Sequence, residues 1–367
     1  MRYHPKFNNI FSSAVLFFFL IIIKLSIADM SDQVPVVDTG AKSPPDPLFD
    51  DAVSRGIALT FNDQFQEASV LFDSLKQEYP DHPAPYFFKA ATYQNWMSSY
   101  RFNNFQKELE ENIQITIDKG EALIENEPDA WLHFYVGAAY GYRAFYRFRK
   151  HNWIGAYQDG RKGVNNFKEA FELDSTLYDV YLGLGTYHYW RTAKSKFLRI
   201  ITFWMPDKRE LGLQQMEFAV NHGRYAHHEA SYGLLISLMD YKKNKEALEI
   251  LERVIAEKDT PNISDIYFMG RLLVEFKNWQ SVEINFRENL QRIENYPYFS
   301  IGFQVECKFW IAKALAEQNK IQQALILAED ALQQSTLREK DQELEGPLES
   351  FDEIKNNLEK LVEELKK

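Results

Sequence analysis

The stretch GIALTFNDQFQEASVLFDSLKQEYP, residues 56–80, decides the fold. Its apolar residues recur at intervals of three and four, the period of helices that bury one face. Gly56, Ala68, Phe72 and Pro80 stand at offsets of 0, 12, 16 and 24. That spacing describes two antiparallel helices. Such helices approach closely only where the facing side chains are small, with larger residues filling the gaps on either side. Pro80 ends the unit.

The pattern returns along the chain. HFYVGAAY places His133, Val136, Gly137 and Tyr140 in the order that YLGLGTYH fills with Tyr181, Leu184, Gly185 and His188. YKKNKEALEILERVI and FKNWQSVEINFRENL read as two second helices, with Ala247 and Ser281 thirty-four residues apart. Ala312 and Ala324 mark another pair. Helical periodicity dominates after residue 48, and no stretch sustains a period of two. The expected pairs are 49–82, 83–128, 129–175, 176–223, 224–260, 261–297 and 298–335.

These units resemble the tetratricopeptide repeat over most of residues 49–335. The resemblance implies an all-α, right-handed superhelix, an α-solenoid of about seven helical pairs. Its first helices would line a concave groove. FWMPDKRELGLQQMEFA, residues 203–219, is similar to a segment of eukaryotic tetratricopeptide-repeat proteins of the inclusion-body-clearance type. The Lys/Asn clamp of chaperone-binding members is not recognisable, which argues against a chaperone C-terminus as ligand. Residues 336–367 carry Phe351, Ile354, Leu358, Leu361 and Leu365 on one stripe and read as a capping helix.

The N-terminus reads as an export signal. Arg2 and Lys6 precede the apolar run AVLFFFLIII, and SIA at 26–28 suits a signal peptidase. Residues 1–28 are therefore expected to be a signal peptide, making the protein periplasmic or secreted. The alternative is a membrane anchor over residues 10–28, although ten apolar residues fall short of the ~20 that span a bilayer. An export signal departs from what the inclusion-body-clearance resemblance implies. Four prolines in residues 29–48 suggest a flexible linker. Cleavage removes three bases and no acid, taking the formal charge from −11 to −14. Such a surface disfavours nucleic acid as a partner.

Cys307 is the only cysteine, so no intramolecular disulfide or cysteine metal motif can form. It sits in a helical pattern and reads as a buried core residue. Neither a phosphate-binding loop, a dinucleotide fingerprint nor a Gly-x-Ser-x-Gly motif occurs. His222, His227 and His228 cluster before Glu229, but their spacing does not suit a helical metal site. His228 and Glu229 equally suit a helix cap. No metal or cofactor is expected. NIS at 262–264 fits a glycosylation sequon if the host secretes through a eukaryotic pathway.

Charge placement is more informative. Residues 132–158 hold Arg143, Arg147, Arg149 and Lys150 and no acid. Residues 180–205 hold Arg191, Lys194, Lys196 and Arg199 and again no acid. Both windows are rich in aromatics. Phe134, Tyr142, Arg143, Arg147, Tyr189, Trp190 and Arg191 are the candidate ligand-binding residues. The competing expectation is that these aromatics fill the core. Arg143 and Arg147 lie one helical turn apart, where like charges repel, so a ligand anion or an acid from a distant unit must relieve them.

KSKFLRIITFWMP, residues 194–206, replaces a tight turn with an insert. Lys194, Lys196, Phe197, Arg199, Phe203 and Trp204 could form a lid, bury against the third unit, or touch a membrane peripherally. The expected function is non-catalytic: a scaffold binding a protein or peptide partner, or an anionic group, in a basic, aromatic groove of repeats 2–4. The alternative is an enzyme or a lipid- or small-ligand-handling protein whose pocket the insert closes. A buried carboxylate or His facing Arg143 or Arg191 would favour that alternative.

Overall fold

The computed structural model describes residues 47–150, 152–193, 206–298 and 300–367. The expected signal peptide, nearly all of the linker, and the insert up to residue 205 lie outside the described residues. Among the described residues, fifteen α-helices follow one another, and fourteen of them form seven successive pairs. These are α1 (Pro47–Phe61) with α2 (Phe65–Glu78), α3 (Pro83–Tyr100) with α4 (Gln106–Asn126), and α5 (Ala130–Arg149) with α6 (Trp153–Leu173). Next come α7 (Val180–Ala193) with α8 (Arg209–His222), and α9 (His227–Asp240) with α10 (Asn244–Ala256). The last are α11 (Ile263–Glu275) with α12 (Trp279–Glu294), and α13 (Ile301–Glu317) with α14 (Ile321–Gln334). The final helix is α15 (Phe351–Leu365). Among the described residues the fold is all-α, a series of consecutive helix pairs. Among the described residues, extended pairing is limited to an isolated antiparallel bridge between Phe102 and Glu343.

The small residues set the packing within pairs. A Cβ added to Gly56 would lie 2.3 Å from the Phe72 ring, and one at Gly270 would lie 2.9 Å from Phe286. Each phenylalanine stands sixteen residues after its glycine and fills the volume that the glycine leaves. In the seventh pair the same two places hold Ala312 and Ala328, both buried. Twelve residues after the first position stand Ala68, Val282 and Ala324, all fully buried. The expected position Ser281 is thus corrected to Val282. Ser281 lies in the first turn of α12, where its N–H is capped by Asn278. Pairs three and four use glycine on both helices. A Cβ on Gly185 would meet the Gly212 carbonyl at 2.7 Å, and one on Gly137 would meet the Gly163 carbonyl at 3.1 Å.

The turns repeat as well. Asp63, Lys242, Lys277 and Asn319 have φ of 60°, 64°, 57° and 61°. Each is the middle residue of the short connection from first to second helix in pairs one, five, six and seven. A left-handed residue there reverses the chain at some steric cost, since none of the four is glycine. Several second-body helices begin on side-chain caps. Asn262 and Asp265 form a reciprocal capping box on α11, and Ser350 and Glu353 form one on α15. Asn262 is buried in that box, so in the folded chain the NIS sequon presents a structural cap.

The contacts divide the described chain into two bodies, one of residues 47–96 and 105–238, the other of residues 97–104 and 239–367. In the first, Asp50 of α1 accepts from the Arg224 guanidinium and the Tyr225 hydroxyl. Buried Asp179 accepts the backbone N–H groups of Arg224, Tyr225 and Ala226 at 2.9, 2.6 and 2.7 Å. Phe61 stacks on His228 at 3.7 Å between centroids. In the second body, α15 packs on α14 and α13 through Ile354, Leu358, Leu361 and Val362. This is the expected capping helix.

The Gly56–Phe72 contact yields a stability test. Gly56→Ala should cost about 1–3 kcal/mol by overpacking. Phe72→Leu in the same chain should recover part of that loss, because it vacates the clashing volume. Urea midpoints of the two single variants and the double variant measure this coupling. Strict additivity would show that the two residues do not meet.

Candidate functional site

Helix α5 carries the first acid-free window, but its cations find acids in space. Arg143 makes a two-pronged contact with Asp159 of α6, Nε to Oδ2 and Nη2 to Oδ1 both at 2.9 Å. Its Nη1 donates to Gln114 of α4 at 2.7 Å. Arg147 reaches the same carboxylate at 2.9 Å. Lys150 pairs with Glu110 of α4 at 2.6 Å. The repulsion expected between Arg143 and Arg147 is therefore relieved by an acid from their own pair, one residue beyond the window. Asp159 is buried. It is also the kind of carboxylate that would favour the enzyme alternative. Here both of its oxygens are engaged by guanidinium groups, an arrangement that clamps α5 to α6.

The candidate aromatics Phe134, Tyr142, Tyr189 and Trp190 are all buried. Phe87 of α3 joins two of them, stacking on Tyr142 at 5.9 Å and meeting the edge of Phe134 at 6.1 Å. Phe134 also meets Phe167 at 6.1 Å. Tyr189 and Trp190 pack edge to face at 4.9 Å. The side chain of Arg191 and the insert residues Lys194, Lys196, Phe197, Arg199, Phe203 and Trp204 lie outside the described residues. Of the segment 203–219, Pro206 onward is described and leads into α8.

The group that sequence reasoning passed over is Glu229, on α9 in the first body. Burial pushes its carboxyl up to about 7, and the Asn95 side chain of α3 only partly offsets this by hydrogen bonding. Among the described residues, no cation contributes to that balance. The carboxyl is not fully enclosed, because Glu229 is half-buried. Tyr142 lies close enough that the Glu229 charge adds to burial in raising its hydroxyl well above the usual range. Next to Asn95, Gln94 accepts the Tyr146 hydroxyl at 2.5 Å. A carboxyl poised near neutrality among tyrosines and amides can accept or donate a hydrogen bond, or bind a cation. The signal in sequence was faint: Glu229 stands beside His228 and reads as a cap. The histidines have other roles. His222 packs on Phe218 at 4.5 Å, His227 hydrogen-bonds the Val220 carbonyl, and His228 stacks on Phe61.

No family model matches the chain, and no curated protein matches it. Among solved structures it is similar to the C-terminal part of a TPR repeat-containing protein from Cytophaga hutchinsonii. That match has 16% identity and a TM-score of 0.38, covering 78% of this chain and 97% of the other. It is also similar to the apo form of RapI, at 13% identity and a TM-score of 0.42, over 80% and 77% of the two chains. Yeast Tom70 matches at 11% identity and a TM-score of 0.32, over 88% and 89%. Among the described residues, no helix is long and apolar enough to cross a membrane.

Glu229 gives the first body a pH signature. Its folded pKa, about 7, exceeds the ordinary value of 4.5, so the folded state binds the proton more tightly. The stability that protonation contributes is fully present below about pH 4.5 and is lost as pH rises through about 7. Glu229→Gln should therefore raise the urea midpoint at pH 8 and leave it nearly unchanged at pH 4. The gain should be about 1–3 kcal/mol, below the full linkage value because water partly reaches the carboxyl. Equal effects at both pH values would contradict the shift.

Proposed function

We propose that the protein is a non-catalytic scaffold. It binds an extended peptide or protein terminus on the first-helix faces of its residue 47–238 body. The observation that carries this is Glu229: a half-buried carboxyl, drawn on by an amide and set beside a tyrosine, with no cation among the described residues in its electrostatic balance. Asn95, Tyr142 and Leu182 flank the face on α3, α5 and α7, and Gly233 leaves room next to Leu182. A peptide bearing a Lys, Arg or free amine would supply the missing charge, while the buried aromatics behind the face would hold the first helices in place. Arg143 and Arg147 are committed to Asp159, so the face is centred on the acid. Arg191 and the 194–206 insert remain candidates for additional contacts, including an anionic group or a membrane surface. Export, as periplasmic or secreted protein, stays part of the proposal.

A binding screen on a peptide array tests this. Captured peptides should be enriched in Lys or Arg flanked by apolar residues, and Glu229→Gln should weaken capture by about tenfold or more. Arg143→Gln should leave capture intact while lowering the unfolding midpoint. If Arg143→Gln abolishes capture and Glu229→Gln does not, the face is basic and the acid-centred reading is wrong.

A further inference from the structure

In the second body, the segment between α14 and α15 crosses the first helices of pairs six and seven. Residues 338–350, REKDQELEGPLES, contain five acids. Three anchor the segment. Glu343 accepts from the Ile301 and Gly302 N–H groups and the Ser300 hydroxyl at 2.8–2.9 Å, where α13 begins. Glu345 accepts the Phe351 N–H at 2.7 Å and pairs with Arg338 at 2.8 Å. Glu349 takes both Nη groups of Arg271 on α11. Leu344 donates its N–H to the Arg101 carbonyl at 3.0 Å, and a Cβ on Gly346 would lie 2.8 Å from the Arg101 guanidinium.

The face beneath is built to receive acids. Arg101 lies 3.8 Å over the Phe303 ring and binds Glu306 at 2.5 Å. Glu306 also accepts the Tyr267 hydroxyl at 2.9 Å. The Arg271 guanidinium lies 4.4 Å over the Trp310 ring. Yet Arg271 Nε and Trp310 Nε1 have no hydrogen-bond partner, although both are buried. Each such donor carries a desolvation penalty that an added acceptor would remove. The segment is thus an incomplete ligand for the face it covers. It buries little apolar surface: Leu344 is its one buried hydrophobic residue.

We propose that the α11–α13 face is a second binding surface, for an extended acidic peptide, and that residues 338–350 occupy it as a displaceable internal ligand. A partner segment rich in Glu or Asp would take the place of Glu349 on Arg271. It would also offer acceptors to Arg271 Nε and Trp310 Nε1, which the internal segment leaves bare. None of these residues takes part in the face around Glu229.

The probe is a fluorescent synthetic peptide of residues 338–350, titrated into the full chain. Wild type should bind it weakly, and Glu343→Gln with Glu349→Gln should bind it at least about tenfold more tightly, because its own segment is loosened. Adding Arg271→Gln should abolish the gain. A double variant that binds no better than wild type overturns the proposal. So does equal binding of a peptide whose acids are all replaced by Gln. If circular dichroism shows that the double variant is unfolded, hydrogen exchange on the wild type decides. The Leu344 amide should exchange well before those of α13, and faster with excess peptide. Exchange of Leu344 only on global unfolding would make the segment a fixed part of the core and overturn the proposal.

Discussion

The structure depends on close approach between antiparallel helices, and a few residues set it. In pair one, the volume missing at Gly56 is the volume that the Phe72 ring occupies. Pair six repeats the exchange with Gly270 and Phe286, and pair seven replaces it with two alanines. Pairs three and four bring backbone against backbone at Gly137–Gly163 and Gly185–Gly212. These are different solutions to one constraint: at each crossing the two facing residues must fill the space between the helices without a void or an overlap, so that the pair packs at interior density. In pairs one, six and seven, left-handed residues at the same distance after the crossing then turn the chain back for the second helix.

This explains why the fold was legible and the site was not. Crossing positions such as Gly56, Ala68 and Gly185 announce themselves by residue type and spacing, because few residues fit there. The slip from Ser281 to Val282 shows the limit: a small residue next to the true position mimics it when unit length is assumed constant. Charge pairing obeys no such period. The window of residues 132–158 is free of acids only along the chain. Asp159 and Glu110 neutralise it across helices α6 and α4. Glu229 lies at the opposite extreme, an ordinary acid in sequence whose carboxyl is raised by burial and partly eased by Asn95.

The two bodies handle polar groups differently. In the first, Asp50, Asp159 and Asp179 are each bound by two or more donors and hold helices or turns in place, whereas Asn95 alone is seen to draw on the Glu229 carboxyl. In the second, buried Arg101, Glu306 and Arg271 and half-buried Glu349 form a chain of alternating charge. Glu306 stays below the ordinary carboxylate range despite burial, because Arg101 and Arg271 outweigh it. Such chains are costly to desolvate and add little net stability, while breaking one partner is expensive. Retaining one on the first-helix face of the last two pairs is more readily understood as specificity for an acidic strand than as reinforcement.

The most direct measurement of the packing constraint is a saturation-substitution scan scored by resistance to proteolysis. Gly185 and Gly212 should reject every larger residue, since even a Cβ at Gly212 would lie 2.6 Å from the Gly185 carbonyl, and Gly137 and Gly163 should reject all but the smallest. Exposed positions on the same pairs, such as Ile154 and Leu173, should accept polar replacements freely. Tolerance of leucine at Gly185 or Gly212, with resistance unchanged, would contradict the paired-helix packing on which the binding faces are built.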